Sequence, residues 1–203
     1  SASTLGLEEA RSGAALVAAD SEAAFSGSKL SAAEGLRYFS GLDLERGSLL
    51  LEDSVLSSRA ALGSSLLSLE AAELRAERCL FEGKGGSGFF LLGRLADCRG
   101  LVANSRAEIS WDGDVTLFEL SGVPPAFVHD SFILDGRPGA SRFFDAKGRV
   151  PRIRNSILQA PAGGAVLLRS TEAPLPGDLA ANCLWGFDDL VAGSLAIRGP
   201  AGL

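Results

Sequence analysis

Apolar residues come in adjacent pairs along most of this chain, each pair led in by a small residue and a polar one. The phrase appears as Glu52-Asp53-Ser54-Val55-Leu56, then Glu77-Arg78-Cys79-Leu80-Phe81, then Cys98-Arg99-Gly100-Leu101-Val102. It returns as His129-Asp130-Ser131-Phe132-Ile133, Arg154-Asn155-Ser156-Ile157-Leu158 and Ala181-Asn182-Cys183-Leu184-Trp185, with a fainter copy at 21–25. The small residue falls at 54, 79, 100, 131, 156 and 183, in steps of 25, 21, 31, 25 and 27. A second apolar segment follows each phrase, for example Leu66-Leu67, Phe143-Phe144 and Val166–Leu168. Gly, Ser and Pro interrupt the pattern every 6 to 12 residues, the punctuation of short strands. Only Thr4–Arg11, Ala32–Arg37 and Leu69–Arg78, rich in Ala, Glu and Leu, read as a helical turn or two.

Two or three short strands in each unit of 21–31 residues are the signature of a coil solenoid. Stacked coils bring equivalent residues to about 4.8 Å, the spacing of paired strands. A tight corner repeated at that spacing suits the small column Ser, Cys, Gly, Ser, Ser, Cys, and the next column is wholly apolar. A leucine-rich-repeat horseshoe competes, but its L-x-x-L-x-L-x-x-N phrase is not sustained. A β-sandwich with accidental self-similarity is the other alternative.

The phrase Arg154-Asn155-Ser156-Ile157-Leu158 followed by Gly163-Gly164-Ala165-Val166 resembles the repeat of right-handed parallel β-helices, and Cys79-Leu80-Phe81 followed by Gly85-Gly86-Ser87-Gly88-Phe89 resembles it too. This superfamily holds pectate-lyase-like enzymes, bacterial surface adhesins and autotransporter passengers. The resemblance covers roughly residues 41–198. It implies an all-β, right-handed parallel β-helix solenoid of about six to seven coils, in a single domain over 1–203. Residues 1–40 would supply a short N-terminal helical cap and the first coil. It also implies a secreted, periplasmic or cell-surface bacterial location. Asn155 and Asn182 fit the asparagine column of the repeat, whereas Asp53, Arg78, Arg99 and Asp130 do not, so that column is expected to face solvent. The Ser-Ala-Ser start and the plain Gly199–Leu203 end suggest a segment of a larger protein, with self-association through exposed coil ends or an apolar strip.

Composition narrows the classes. Hydrophobic residues make up 46% and mean hydropathy is +0.21, far too apolar for a disordered chain. No apolar stretch approaches the roughly 20 residues of a membrane span. Nineteen basic against 25 acidic residues leave a net charge of −6, without the basic footprint of a nucleic-acid binder. Three cysteines (Cys79, Cys98, Cys183) and one histidine give neither a disulfide scaffold nor a His-rich metal site. No metal or cofactor is expected, and the thiols are expected to be free and mostly buried.

Candidate chemistry is scattered. Arg75, Arg78, Arg94, Arg99 and Arg106 would form a basic ridge for acidic glycans if stacking aligned them. As an ordinary solvated face they would pair with Glu73, Glu77 and Asp97. Trp111-Asp112-Gly113-Asp114 and Trp185-Gly186-Phe187-Asp188-Asp189 set aromatics beside acids, a sugar-binding chemistry, although a tryptophan equally fills a core corner. The long step at about residues 108–127, with Val123-Pro124-Pro125, predicts a protruding loop. Candidate binding residues are therefore Arg78, Arg99, Trp111, Asp112, Asp114, His129 and Trp185. Catalytic readings rest on a Cys98–His129 pair, or on His129-Asp130, Arg152/Arg154, Asp112/Asp114 and Asp188-Asp189. The Asn-Thr-Asp and Gly-His-Gly phrases of pectinolytic hydrolases are missing. Of each apolar pair, one member faces outward unless a bulge or a covering loop intervenes, and such a covering is the expectation. The leading function is a non-catalytic extracytoplasmic binding or surface module, adhesin-like, facing a glycan or protein partner. A polysaccharide lyase or glycoside hydrolase and a structural spacer are the alternatives.

Overall fold

The structure is a computed structural model and describes residues 4–7, 12–32, 36–137, 140–175, 177–193 and 197–198. It is an all-β parallel solenoid of about seven turns. One face is an eight-stranded parallel sheet built from Thr4–Leu7, Lys29–Ala32, Val55–Ser58, Leu80–Lys84, Arg106–Trp111, Ser131–Gly136, Ile157–Gln159 and Cys183–Trp185. A 13-stranded sheet supplies the other two faces. In the first coils those two faces are single bent strands, Ser12–Ser26, Tyr38–Glu52 and Gly63–Glu77, which pair in parallel. Later coils split each into two strands, as in Phe89–Ala96 and Arg99–Ala103. The closing Phe187–Gly193 and Ile197–Arg198 pair is antiparallel.

The helical expectations are overturned where residues are described. Leu69–Glu77 lies within a strand, Thr4–Leu7 is a strand, and Ser12–Ser26 is a full coil edge instead of a cap. The other residues of the predicted cap, 1–3, 8–11 and 33–35, lie outside the described residues. Leu69, Ala72, Leu74 and Ala76 are buried while Glu70, Ala71, Glu73 and Arg75 are exposed. That is the period of two, shifted by one at Ala71, whose φ of 50° bends the strand. Burial by neighbouring coils outweighs the intrinsic helix preference of Ala, Glu and Leu.

The bends explain the corners. All ten described non-glycine residues with positive φ stand at two of them. Asp20, Arg46, Ala71 and Asp97 turn the chain between the two faces of the larger sheet. Asp53, Arg78, Asn104, His129, Asn155 and Ala181 turn it into the eight-stranded face, with Gly27 leading the same column. The side chains of Asp53, Arg78, Asn104, His129, Asn155 and Ala181 are exposed, and Arg99 is exposed on the neighbouring face, but the expectation that Asp130 faces solvent with them is overturned: it stands one residue past this column and is 2% exposed.

The residues that follow it set the true repeat. Strand register puts Ser28, Ser54, Cys79, Ser105, Asp130, Ser156 and Asn182 at equivalent places, in steps of 26, 25, 26, 25, 26 and 26. Gly100 is therefore not a member of the small column, and Ser131 and Cys183 each stand one residue past it. The uneven steps and the expected protrusion at 108–127 disappear: this segment forms ordinary strands, Arg106–Trp111 and Asp114–Gly122.

The apolar pairs have two explanations. On the eight-stranded face one member points in and the other out. Leu30, Leu56, Phe81, Ala107, Phe132 and Leu158 are buried, whereas Val55 and Leu80 are half-buried and Ile157 is 44% exposed. No bulge or loop turns both inward there, which corrects the expectation. On the next face, pairing skips one residue per coil, at Gly41, Leu66, Leu92, Leu117, Phe143 and Leu167. Both members of Leu66-Leu67, Leu117-Phe118, Phe143-Phe144 and Leu167-Leu168 are buried as a result.

Candidate functional site

The corner column and the strand ends fix where each candidate residue stands. Arg78 and His129 share the exposed corner column, two coils apart. Arg78 Nε and Nη2 donate to Asp53 Oδ1 and Oδ2 at 2.7 and 2.9 Å, one coil earlier. This guanidinium holds the Asp53 carboxyl below its ordinary range. Arg99 is exposed on the neighbouring face, in register with Glu73. Asp112 and Asp114 are exposed at the opposite corner, where Arg137 lies 3.7 Å from Asp114. Trp185 is 53% exposed on the eight-stranded face.

Trp111 is a core residue. It is 2% exposed, stacks obliquely on Phe90 at 5.1 Å, and lies over Gly86, where a Cβ would meet its ring at 1.8 Å. Trp111 therefore offers no platform at the surface, whereas Trp185 is exposed. Nor do the arginines form one ridge. Arg94 and Arg106 stand on different faces, paired with Glu119 and Glu108, and Arg75 pairs with Glu77.

The catalytic candidates are spread over several corners and faces, with Asp188 and Asp189 on the closing strand Phe187–Gly193. Cys98 follows Asp97 at one corner and His129 stands at another, so they are not column neighbours. His129 and Arg154 are close along one corner, with the His129 N–H donating to Arg154 O at 3.0 Å, while Asp112 and Asp114 lie across the core. Among the described residues no group of three His, Cys, Asp or Glu is placed to hold a metal ion, and no helix is long and apolar enough to cross a membrane.

Two features escaped the sequence. One is an open basin of about 500 Å³ on the eight-stranded face, lined by Lys29, Ser31, Ser57, Arg59, Glu82 and Lys84. Its cations come from three coils, and only the 26-residue register unites them. The other is a polar ladder under the corner column. The N–H groups of Ser28, Cys79, Ser105, Asp130 and Ser156 donate to the side chains of Ser54, Ser105, Asp130, Ser156 and Asn182, each one coil on, at 2.8–3.2 Å.

All three thiols are free, but only Cys79 and Cys98 are buried. Burial raises both, Cys98 to about 12. A thiol reagent at neutral pH is expected to label Cys183 alone in the native protein, and all three after denaturation. Rapid native labelling of two or more thiols would refute the placement. Comparison with protein-family models, characterised proteins and solved structures gives no match for this chain.

Proposed function

We propose that this chain is a non-catalytic binding module of a secreted or surface-displayed bacterial protein, and that its eight-stranded face receives a glycan. The observation that carries this reading is the composition of that face. Trp185 and Ile157 stand exposed beside Gln159 and Ser131, a flat apolar platform with hydrogen-bonding neighbours. Toward the other end of the same face, Lys29, Arg59 and Lys84 line the polar basin together with Glu82, which pairs with Lys84 at 3.5 Å, a mixed lining suited to the hydroxyl and carboxylate groups of a sugar chain. The candidate acids and bases are divided between corners, an arrangement that favours binding over glycoside cleavage.

A glycan array with the intact chain tests this directly. Binding is expected, and Trp185→Ala is expected to weaken it about tenfold or more, the loss of one stacking platform. Neither reducing ends nor unsaturated products should accumulate. Equal binding by Trp185→Ala, or release of products, would sink the proposal.

A further inference from the structure

The ladder has one member that does not belong by chemistry. Its hydroxyls act in two directions. The hydroxyls of Ser54, Ser105 and Ser156 each accept from a backbone N–H of the coil before, and hydroxyls and thiol alike face backbone carbonyls as donors. Ser54 Oγ donates to Glu52 O at 2.7 Å, Ser105 Oγ to Ala103 O at 3.0 Å, and Ser156 Oγ to Arg154 O at 3.0 Å. Cys79 Sγ approaches Glu77 O at 3.4 Å. A second acceptor lies on the preceding coil: Phe25 O for Ser54, Leu51 O for Cys79, Ile153 O for the amide of Asn182. The donor role, unlike the acceptor role, needs a hydrogen on the side chain.

Asp130 occupies the same place. It is 2% exposed, and its Oδ1 accepts the Ser105 N–H at 2.8 Å. Its Oδ2 is buried with no hydrogen-bond partner. By register, the carbonyls that the other members reach stand there as Val102 O, one coil back, and Val128 O, two residues back, the latter already accepting the Asn104 N–H at 3.1 Å. An ionised carboxylate has no hydrogen to give them and would set buried negative charge against carbonyl oxygens. A carboxylic acid with its proton on Oδ2 fills the role.

We propose that Asp130 is a proton-dependent lock in the coil wall: as a neutral acid it completes the corner ladder, and losing its proton loosens the coils on either side. Burial pushes this carboxyl up to about 7, against the opposing pull of the Ser105 and Val128 backbone groups. No nearby charge competes with that cause. The charged and titratable groups on the surrounding elements are Arg99, Arg106 and Glu108 on the coil before, His129 and Asp135 on its own coil, and Arg152 and Arg154 on the coil after. All stand on the outer surface, and Arg106 is paired with Glu108. The two ladder neighbours, Ser105 and Ser156, are neutral.

The native protein therefore holds a proton that the unfolded chain releases above the ordinary carboxyl value of 3.8. Stability from this group is complete below about pH 4 and is lost as pH rises toward about 7, the unfolding constant growing about tenfold per pH unit. Asp130→Asn should reproduce the geometry of Asn182, whose Oδ1 accepts and whose Nδ2 donates. Equilibrium unfolding of the full chain from pH 4 to 8 is the test. The variant should match the native sequence near pH 4 and be about a thousandfold more stable by this constant at pH 8. Asp130→Ser, which restores the commonest residue of the ladder, should also flatten the difference. A gap that does not change with pH overturns the proposal. Carboxyl-labelled NMR of the unmodified protein gives an independent reading: a buried aspartate titrating near neutrality supports the lock, and complete ionisation of all aspartates by pH 5 defeats it.

Discussion

Phe118→Ala is expected to destabilise the chain by about 4 kcal/mol, the middle of the range for a buried phenylalanine. Phe118 has no exposed surface and sits among Phe127, Phe132 and Phe144, with ring centroids at 4.7, 5.7 and 5.6 Å. The coil before it offers Gly93 in register, and a Cβ there would touch the Phe118 ring at 3.1 Å. The glycine leaves room that the ring fills. When the ring is removed the room remains, because both strands are pinned by their neighbours and the wall has little freedom to collapse. The cavity cost adds to the lost transfer energy. For a chain of this size such a loss lowers the melting temperature on the order of 10 °C. A fall of only about 2 °C, by calorimetry or circular dichroism, would mean that the core relaxes.

Gly113→Ala is expected to do comparable damage by another route. Its backbone is not in the left-handed region, so the cost is steric. A Cβ would lie 1.6 Å from Gly88 O and 2.7 Å from Ser87 O, both backbone atoms of the coil before. Those atoms are fixed by two hydrogen bonds that straddle the glycine, Asp112 N–H to Gly86 O and Asp114 N–H to Gly88 O, each 2.8 Å. Room for a methyl group requires the coils to part and at least one of these bonds to break. The expected cost is about 3–5 kcal/mol from overpacking and lost hydrogen bonding. Gly85→Ala separates this from conformational strain: its φ is +78° but nothing lies within 4 Å of a Cβ. It should cost only about 1 kcal/mol. Equal losses in the two variants, measured by denaturant unfolding, would refute the close approach of the coils.

The repeat was legible wherever a coil carries the full phrase of polar, small, apolar, apolar. Ser54, Cys79 and Ser156 were read at their true places, and the parallel β-helix followed from them. The coil beginning with Asn104 and Ser105 lacks that signal. There the outward residue is Arg106 and the inward one Ala107, so the apolar pair is missing. Cys98-Arg99-Gly100-Leu101-Val102 imitates the phrase five residues earlier and displaced it. A better signal was present: a residue able to adopt positive φ, followed by a small polar one, recurs at Asp53-Ser54, Asn104-Ser105 and Asn155-Ser156. Asp130 went unrecognised because its neighbour Ser131 looked like the ladder member. Of the candidate site, Trp185 is exposed on the eight-stranded face. The burial of Trp111 was not readable, because it depends on Gly86 of the coil before.

The near-constant step of the corner ladder has a consequence for how the chain acquires its structure. Almost every strand partner lies 25 or 26 residues away, so no pairing waits for distant sequence. Contact order stays low for an all-β protein, and loop closure costs the same for each added turn. Such a chain is suited to vectorial folding, each new turn templated on the last as it emerges from a ribosome or a secretion pore.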